Sequence, residues 1–332
     1  MTRYASATVG AVRPKFPPDA RTSAGRLRTH KLGRNLVWLS MTLPALTWIV
    51  VFKYVTLAGV WIAFIDYKVR SGLFASQFVG LRNFEFLFST ATALRATRNT
   101  ILLNLLFIIC GLGFSLLVAW LIFEIYTSKF TRYYQTLILL PRFISWVVVS
   151  YFVYALLSAD TGVVNKLLKA VGLSAVSWYR NPAPWPFILL VVSLWHSVGL
   201  ASLIYLSGMI AIDPQLYEAA RIDGASRWSQ FRLITLPILL PLVIINLLLS
   251  IAYVLNADFG LFFQVTRDQQ LLYPTTDVLD TYIYRSLIVT KTISMAGAAQ
   301  FYQSFVGFIL VILANTLVRR IERSRDESLA LF

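Results

Sequence analysis

The chain contains six long apolar runs separated by shorter polar stretches. Each run approaches the ~20 apolar residues with which a helix crosses the hydrocarbon core of a bilayer. The alternation of apolar and polar residues that marks a membrane-barrel strand, over about 10 residues, does not occur in the sequence. The runs lie at residues 36–58, 101–123, 135–158, 186–208, 237–256 and 295–318. This pattern predicts an all-α polytopic membrane protein with six transmembrane helices, numbered below as spans one to six.

Composition supports the membrane class and narrows the possible chemistry. Of the 332 residues, 58% are hydrophobic and 14% are charged, whereas a soluble domain carries about 25% charged residues. The single cysteine, Cys110, excludes a disulfide framework within the chain and a cysteine metal site. The two histidines, His30 and His196, match no metal-ligand spacing. The sequence therefore predicts no metal and no cofactor bound by this chain.

Basic residues are concentrated at the N-terminus. Residues 1–34 hold eight basic residues against the single acid Asp19. A segment so poor in apolar residues is predicted to be disordered. Basic flanks of a span are retained in the cytoplasm, and an even number of spans puts both termini on the same side. We therefore expect a cytoplasmic tail at 1–34, a membrane domain at 35–323 and a second cytoplasmic tail at 324–332.

A signal peptide and a nucleic-acid-binding arm are weaker interpretations of this basic tail. A cleaved signal peptide also begins with basic residues, but its apolar region covers only about 7–15 residues. The run that begins at Asn35 is longer, so we interpret it as a retained membrane anchor. Basic tails also bind nucleic acid, but the adjoining span favours a role in membrane orientation, and we predict no nucleic-acid partner.

The segment from Asp213 to Pro237 brings six charges into an otherwise apolar region. Asp213 is a good N-cap ahead of Pro214, and Gly224 can adopt the positive φ that ends a helix. Ser226 can cap a second helix. The segment is therefore predicted to form two short helices on the cytoplasmic side, between spans four and five.

The first of these short helices has an unusual face. Leu216, Ala219, Ala220 and Asp223 are spaced at i, i+3, i+4 and i+7, so they lie on one side. A helix that rests on a lipid surface usually presents a strong apolar face with Trp, Phe or Leu. Two central alanines instead leave a flat surface that another protein can approach closely. The pattern favours a protein-docking site over a membrane-surface helix.

Seven positions in this loop resemble a known family motif. Binding-protein-dependent ABC importer permeases have a cytoplasmic loop written as EAA, three residues, Gly, nine residues and Ile-x-Leu-Pro. The matching residues are Glu218, Ala219, Ala220, Gly224, Ile234, Leu236 and Pro237, with every spacing kept. In that family the loop is the coupling helix, seated in a cleft of the ATPase subunit. The resemblance implies that Glu218, Ala219, Ala220 and Gly224 dock the ATPase.

Further segments resemble the sugar and polysaccharide branch of the same family. They lie at 80–88, 98–100, 139–158, 204–226 and 277–285. The resemblance implies a bacterial inner-membrane permease subunit that moves a saccharide, specifically an oligosaccharide, into the cytoplasm. It also implies a second permease in a heterodimer, two ATP-binding subunits that carry ATP and Mg²⁺, and an extracytoplasmic solute-binding protein.

The sequence offers no catalytic constellation. It lacks the phosphate-binding G-x-x-x-x-G-K-[ST] motif and the H-E-x-x-H motif. Two isolated histidines support no Ser/His/Asp set. We therefore predict that the chain is not an enzyme and that partner subunits hydrolyse the ATP. The rival class is a self-sufficient secondary transporter or channel, which is disfavoured because no internal repeat relates the two halves.

Span five carries a stripe of polar residues. Asn246, Ser250, Tyr253 and Asn256 are 4, 3 and 3 residues apart, so they share one helical face. Hydrogen bonds between helices explain such residues. A saccharide route explains them equally well, because sugar hydroxyls need amide and hydroxyl partners.

Polar residues in the remaining spans are further candidates for a solute path. Arg142, early in span three, either extends to the cytoplasmic interface or lines the path. His196, in span four, is either a hydrogen-bonded packing residue or a path residue. The full candidate set is Arg142, His196, Asn246, Ser250, Tyr253, Asn256, Gln300 and Gln303.

The predicted outer segments are more basic than the charge rule for membrane proteins leads one to expect. Residues 66–100 have a net charge of +3, and residues 159–185 have a net charge of +2. A positive entrance concentrates an anionic solute, and Arg142 could then pair with a carboxylate. The alternative is that these charges contact lipid headgroups or the binding protein. The narrower hypothesis is an anionic oligosaccharide such as a fragment of a uronate polymer.

Overall fold

The computed structural model describes residues 38–126 and 128–322. The predicted tails at 1–34 and 324–332 lie outside these residues. The helices, in chain order, are α1 (Trp38–Phe64), α2 (Arg82–Ser89), α3 (Ala91–Glu124), α4 (Thr131–Leu139), α5 (Trp146–Leu157), α6 (Val163–Ala170), α7 (Trp185–Ile210), α8 (Pro214–Ile222), α9 (Arg227–Gln230), α10 (Leu236–Ala252), α11 (Tyr273–Thr276), α12 (Leu279–Ile288) and α13 (Ile293–Glu322). The chain from Val60 onward forms the compact unit whose packing is described below.

Six predicted spans correspond to five long apolar helices and one bent pair among the described residues. The long helices are α1, α3, α7, α13 and the continuous stretch Arg227–Ala252, which contains α9 and α10. That stretch contains a π-helix at Phe231–Thr235 and continues through Pro237 without a break. The predicted start of span five at this proline is therefore wrong, since the helix begins ten residues earlier, at Arg227.

Span three is not the single helix expected over 135–158. The stretch Thr131–Phe143 and α5 meet at an angle of 96°. Ile144 and Ser145 between them are extended, with ψ of 128° and 149°. The side chain of Ser145 accepts a hydrogen bond from the backbone N–H of Val148, so it caps a new helix in the manner of an N-cap serine. The break has a local cause that hydropathy does not detect.

The prediction of an all-α protein is confirmed, with one small addition in the described part of the chain. Ile65–Asp66 and Gln77–Phe78 pair as two antiparallel strands of two residues each, directly after α1. A pair this short cannot form an independent sheet, so it only fastens the start of the segment that leads to α2.

Two apolar clusters hold the helices together at different levels of the bundle. The first joins α3, α5 and α7 through residues such as Leu103, Val149 and Trp185. The second joins α3, α7 and α10 through residues such as Ala119 and Met209. Because the clusters meet α3 at positions 103 and 119, the middle of that helix is left between them.

The contact between α4 and α7 depends on a residue without a side chain. A Cβ atom added at Gly199 would lie 2.0 Å from the backbone oxygen of Ile138. Small residues at such crossings allow the backbones of membrane helices to approach closely. This contact brings the first half of span three against span four.

A buried ionic cluster fixes the segment between spans five and six. Arg285 of α12 forms ion pairs with Asp277 and, at 2.9 Å, with Asp268. Arg95 of α3 approaches Asp277 at 3.7 Å. Burial leaves the side chain of Asp277 only 2% exposed, so its two guanidinium partners are needed to balance its charge. The cluster ties α12 to the start of span two.

Candidate functional site

The charged loop forms α8 as the sequence predicts, whereas the predicted second short helix, α9, is the beginning of the long stretch Arg227–Ala252. Asp213 accepts a hydrogen bond from the backbone N–H of Gln215 at 3.0 Å, as an N-cap does at the start of α8. Gly224 has φ of +79°, and the N–H of Ala225 donates to Ala220 at 2.8 Å, which ends the helix. Ser226 then caps α9 by accepting from Ser229 at 3.2 Å.

The helix α8 has one anchored side and one open side. Tyr217 is buried, and its hydroxyl lies 2.9 Å from the hydroxyl of Thr235 in the π-helix that leads into α10. Glu218 and Ala219 are exposed, and Ala220 is half-buried. An anchored helix with a low, open surface suits docking of a second protein, since little side-chain volume stands in the way.

An ion pair connects this loop to the end of span two. Arg227 of α9 pairs with Glu124, the last residue of α3. The same side-chain carboxylate accepts from the indole N–H of Trp120 at 3.1 Å, one turn earlier. The loop is therefore attached to α3 as well as to α10.

The middle of the bundle contains a cavity of about 340 Å³. It lies between α3, α7 and α10, at the level left open between the two apolar clusters. Its lining residues are Asn104, Phe107, Ile108, Gly111, Leu112, Ser115, Ser197, Ala201, Ile204, Tyr205, Asn246, Ser250, Tyr253 and Asn256. The polar members carry amide or hydroxyl groups, and none of these lining residues is charged.

All four residues of the predicted stripe line this cavity, but they do not share one helix. The helix α10 ends at Ala252, and the N–H of Tyr253 bonds to the carbonyl of Ser250 at 3.1 Å. A second turn follows, in which the N–H of Asn256 donates to Tyr253 at 2.8 Å. The expectation of a helix to residue 256 is wrong, because the chain turns after α10 and brings the last two residues to the cavity from that turn.

The hydrogen bonds of Asn246 and Ser250 run along their own helix. Asn246 donates to the carbonyl of Leu242 at 3.0 Å, and Ser250 donates to the carbonyl of Asn246 at 2.8 Å. Bonds to the preceding turn are the usual local alternative for such side chains. This arrangement favours a cavity-lining role for the stripe over bonding between helices.

Sequence reasoning missed the polar residues that α3 and α7 contribute. Asn104 and Ser115 lie on α3, and Ser197 lies on α7. Asn104, Gly111 and Ser115 are separated by 7 and 4 residues, a spacing that keeps them on one helical face. That periodicity could have indicated them, although it is weaker than the stripe of span five because one member is glycine.

Arg142 and His196 lie at the break in span three and are not among the cavity-lining residues. A guanidinium nitrogen of Arg142 lies 3.4 Å from Nδ1 of His196, and Nε2 of His196 lies 3.1 Å from the carbonyl oxygen of Ile144. Because arginine can only donate and a carbonyl can only accept, both contacts fit the tautomer that carries a proton on Nε2. His196 is buried at 5% exposure, which agrees with the packing alternative.

The two glutamines of span six also lie away from the cavity lining. Gln300 is exposed on the surface of α13. Gln303 is fully buried and donates hydrogen bonds to the carbonyl of Leu255 and, at 3.1 Å, to Asp280. The interpretation of both as cavity residues is therefore not supported by the geometry.

The membrane bundle, the charged loop and the central cavity fit a permease subunit, the transmembrane part of an importer. In the described residues, His, Cys, Asp and Glu do not gather into a group that could hold a metal ion. The family model described as "binding-protein-dependent transport system inner membrane component" matches residues 23–326. The chain belongs to this family. It is a multi-pass inner-membrane component of an ABC transporter, it is not itself catalytic, and it needs no cofactor because partner ATPases use the ATP.

Individual relatives match most of the chain. A polygalacturonan/rhamnogalacturonan transport system permease protein of Bacillus subtilis (strain 168), YteP, is 33% identical over 283 residues, covering 84% of this chain and 87% of that protein. The protein LplB of the same organism is 31% identical over 287 residues, covering 86% of this chain and 90% of that protein. The similarity therefore extends well beyond the loop motif.

A solved structure agrees with the fold over most of this chain. A chain from a bacterial ABC transporter involved in the import of the acidic polysaccharide alginate matches with a TM-score of 0.80 and 32% identity. The match covers 89% of this chain and 99% of that chain. The alginate transporter in complex with alginate pentasaccharide-bound periplasmic protein matches with a TM-score of 0.79.

Proposed function

We propose that this chain is the permease subunit through which a saccharide enters the cytoplasm. The observation that carries the proposal is the central cavity, whose polar lining consists of amides and hydroxyls. These groups both donate and accept hydrogen bonds, as the hydroxyls of a sugar ring require. Two relatives support the substrate class, since they are named for polygalacturonan/rhamnogalacturonan transport and for alginate import, at 33% and 32% identity.

The narrower proposal is that the saccharide is an acidic oligosaccharide. Both of those relatives are named for acidic polymers, and the outer segments at 66–100 and 159–185 carry net charges of +3 and +2. The cavity lining is uncharged, so it suits the sugar rings and hydroxyls. The carboxylates need a cation elsewhere, and the exposed Arg142, beside His196 at the break in span three, is the candidate. Contact of these basic residues with lipid headgroups or with the binding protein is the alternative.

In the proposed mechanism, transport is driven by an ATPase subunit that docks on α8. Glu218, Ala219 and Ala220 form the docking surface, and Gly224 ends the helix beneath it. The buried Tyr217 and the ion pair of Arg227 fasten the loop to α10 and α3. Closing and reopening of two ATPase subunits would therefore move the helices that line the cavity, and so turn its opening from one side of the membrane to the other.

The proposed assembly places partner subunits on both faces of the membrane. A second permease completes a heterodimer, and two ATP-binding subunits dock on the cytoplasmic side. A solute-binding protein delivers the saccharide to segments 66–100, 159–185 and 257–293 on the outer side. Both termini are cytoplasmic in this arrangement. A solved relative in complex with a pentasaccharide-bound periplasmic protein supports the role of the binding protein.

Reconstitution of the complete transporter tests the proposal. Proteoliposomes would receive binding protein loaded with an oligogalacturonate or with a neutral oligosaccharide of equal length, and uptake and ATP hydrolysis would be measured together. The expected result is ATP-dependent uptake that is greater for the acidic sugar. A preference for the neutral sugar would contradict the narrower proposal that the saccharide is an acidic oligosaccharide. Uptake driven by an ion gradient without ATP would contradict the proposed mechanism.

The cavity itself needs a separate test with a matched control. Asn246→Ala and Ser250→Ala remove polar groups from the lining, whereas Ser304→Ala removes an exposed hydroxyl from α13. Uptake should fall in the first two variants and not in the third. Unchanged uptake in both cavity variants would show that the solute takes another route.

A further inference from the structure

The turn that follows α10 is irregular backbone at the end of span five. Irregular backbone in a membrane protein occurs where other groups satisfy its polar atoms or where it lines a cavity. Both conditions hold here. Tyr253 and Asn256 are exposed to the cavity, while Val254 and Leu255 between them are buried, at 6% and 1% exposure.

Side-chain amides from two other spans satisfy three successive carbonyls of this turn. Nδ2 of Asn104, on α3, donates to Val254 at 2.7 Å and to Asn256 at 3.2 Å. Nε2 of Gln303, on α13, donates to the carbonyl of Leu255, which lies between those two. The turn is therefore held from both sides by helices that are remote from it in sequence.

A carboxylate outside the cavity completes this arrangement. Oδ2 of Asp280, on α12, accepts from the backbone N–H of Ala257 at 2.7 Å and from Nε2 of Gln303 at 3.1 Å. Two acceptors therefore face the same nitrogen of Gln303, so the amide has a single satisfactory orientation. Asp280 fixes Gln303, and Gln303 fixes the carbonyl of Leu255.

We propose that Gln303 and Asp280 are positioning residues, which set where Tyr253 and Asn256 stand in the cavity without touching the solute. This inference rests on the proposed function, since the position of the two side chains matters to transport only if the cavity is the solute path. Neither Gln303 nor Asp280 lines the cavity. The buried pair Val254–Leu255 and the cavity-facing pair Tyr253 and Asn256 belong to one turn, so a displaced carbonyl of Leu255 displaces both cavity side chains.

The position of the turn can be measured without any solute. A cysteine replaces Tyr253 in a Cys110→Ala background, and a small maleimide labels it in the assembled transporter. The test variant is Gln303→Met, which keeps the side-chain length and removes the donor. The control is Ser304→Ala, which alters an exposed residue next to it on α13. Asp280→Asn is the second test variant, since it removes the negative charge that orients Gln303.

In Gln303→Met, the rate at which the cysteine at position 253 is labelled is expected to change by about tenfold. The carbonyl of Leu255 has then lost its donor, and the turn rearranges because a buried acceptor without a partner is costly. A smaller change in the same direction is expected in Asp280→Asn, and none in Ser304→Ala. Equal labelling in Gln303→Met and Ser304→Ala overturns the proposal, whatever the transport assay gives. The labelling result is thus independent of whether the cavity is the solute path.

Transport kinetics provide the second readout. In proteoliposomes supplied with loaded binding protein, Gln303→Met should raise the KM for uptake while ATP hydrolysis and the amount of assembled complex are retained. Asn104 is unsuitable for this purpose because it lines the cavity itself. A lower amount of assembled complex with an unchanged KM would indicate a merely structural role and would overturn the proposal.

Discussion

The imidazole of His196 stacks on the indole of Trp146 with ring centroids 4.0 Å apart. The contact joins span four to the first residue of α5, immediately after the break in span three. The indole N–H of Trp146 in turn donates to Asp258 at 3.1 Å, beyond the end of α10. Spans three and four and the segment that follows span five are therefore linked at the break through two aromatic rings and a carboxylate.

Replacement of His196 tests whether its nitrogens or its ring hold the break together. His196→Phe keeps the stack on Trp146 but leaves the carbonyl of Ile144 without its donor, a loss of about 1–3 kcal/mol for a buried group. His196→Gln places an amide near the position of Nε2 and should be milder. The thermal stability of the purified complex is the measurement. Equal loss in both variants would mean that the hydrogen bond contributes little.

Coupled transport should be lost when the turn or the flat face of the proposed docking loop is altered. Gly224 has φ of +79°, where a residue with a side chain costs roughly 1 kcal/mol or more. Gly224→Val should therefore remain in the membrane and lose coupled transport, and Ala220→Leu should do the same by lifting the partner from the helix. Gly172, in the segment after α6, has φ of +81°. Gly172→Val thus carries the same backbone strain as a control, and binding of the ATPase subunit should survive in it.

Sidedness is testable by thiol labelling. Ser226 and Ser174 are both exposed in the structure. With a Cys110→Ala background, a cysteine at Ser226 should resist an impermeant reagent added to intact cells, while one at Ser174 should react. Cysteines at Ser23 and Ser328, which lie outside the described residues, should resist as well. Labelling at Ser226 from outside would contradict a cytoplasmic docking loop.

Arg142 should distinguish acidic from neutral solutes. Arg142→Gln removes the cation, so uptake of an acidic oligosaccharide should fall while that of a neutral one of equal length is retained. Arg142→Lys keeps the charge but loses the planar fork that binds a carboxylate through two bonds, so an intermediate loss is expected. Initial uptake rates for the two sugars are compared. Equal losses for both would assign Arg142 to the structure of the break instead.

The buried ionic cluster of Arg285, Asp277, Asp268 and Arg95 should contribute strongly to the stability of the protein. Asp277→Asn removes the carboxylate that Arg285 and Arg95 share, while Arg285 keeps its pair with Asp268. The loss of charge-assisted hydrogen bonds is expected to cost about 1.5–3 kcal/mol. Asp66 pairs with Lys68 at 3.4 Å, but both side chains are more than half exposed. Asp66→Asn is therefore a control with an expected loss of about 0–1 kcal/mol. Similar melting temperatures for the two variants would contradict this difference.

The sequence is most informative where local chemistry decides the structure. Asp213, Gly224 and Ser226 each act through their own neighbours, so the helices α8 and α9 follow from residue type and spacing. Span three shows the opposite case. Ile144 and Ser145 lie within the run at 135–158, and hydropathy averages over them and over Pro141 and Arg142, so the 96° break is not predicted.

Prediction of the cavity residues from the sequence has a similar limit. The spacing of Asn246 and Ser250 is enough to find one wall, because both lie on the same regular helix. Gln303 and Asp280 cannot be assigned in this way, since their partners are carbonyl and N–H groups of a turn formed by another part of the chain. Backbone groups are the same at every position of a sequence, so only the folded structure identifies those that side chains bind.

The stretch Arg227–Ala252 has a mechanical consequence. It is 26 residues long without interruption, which corresponds to about 39 Å at the usual helical rise. One end carries the loop proposed to dock the ATPase, and the other carries the turn with Tyr253. A continuous helix of this length can transmit a rotation about its axis as well as a displacement along it. A rotation of about 50°, half the angular step between successive helical residues, would move Asn246 and Ser250 out of the cavity wall together. Under the proposed function, one helix would then couple the hold on the solute to the position of the ATPase.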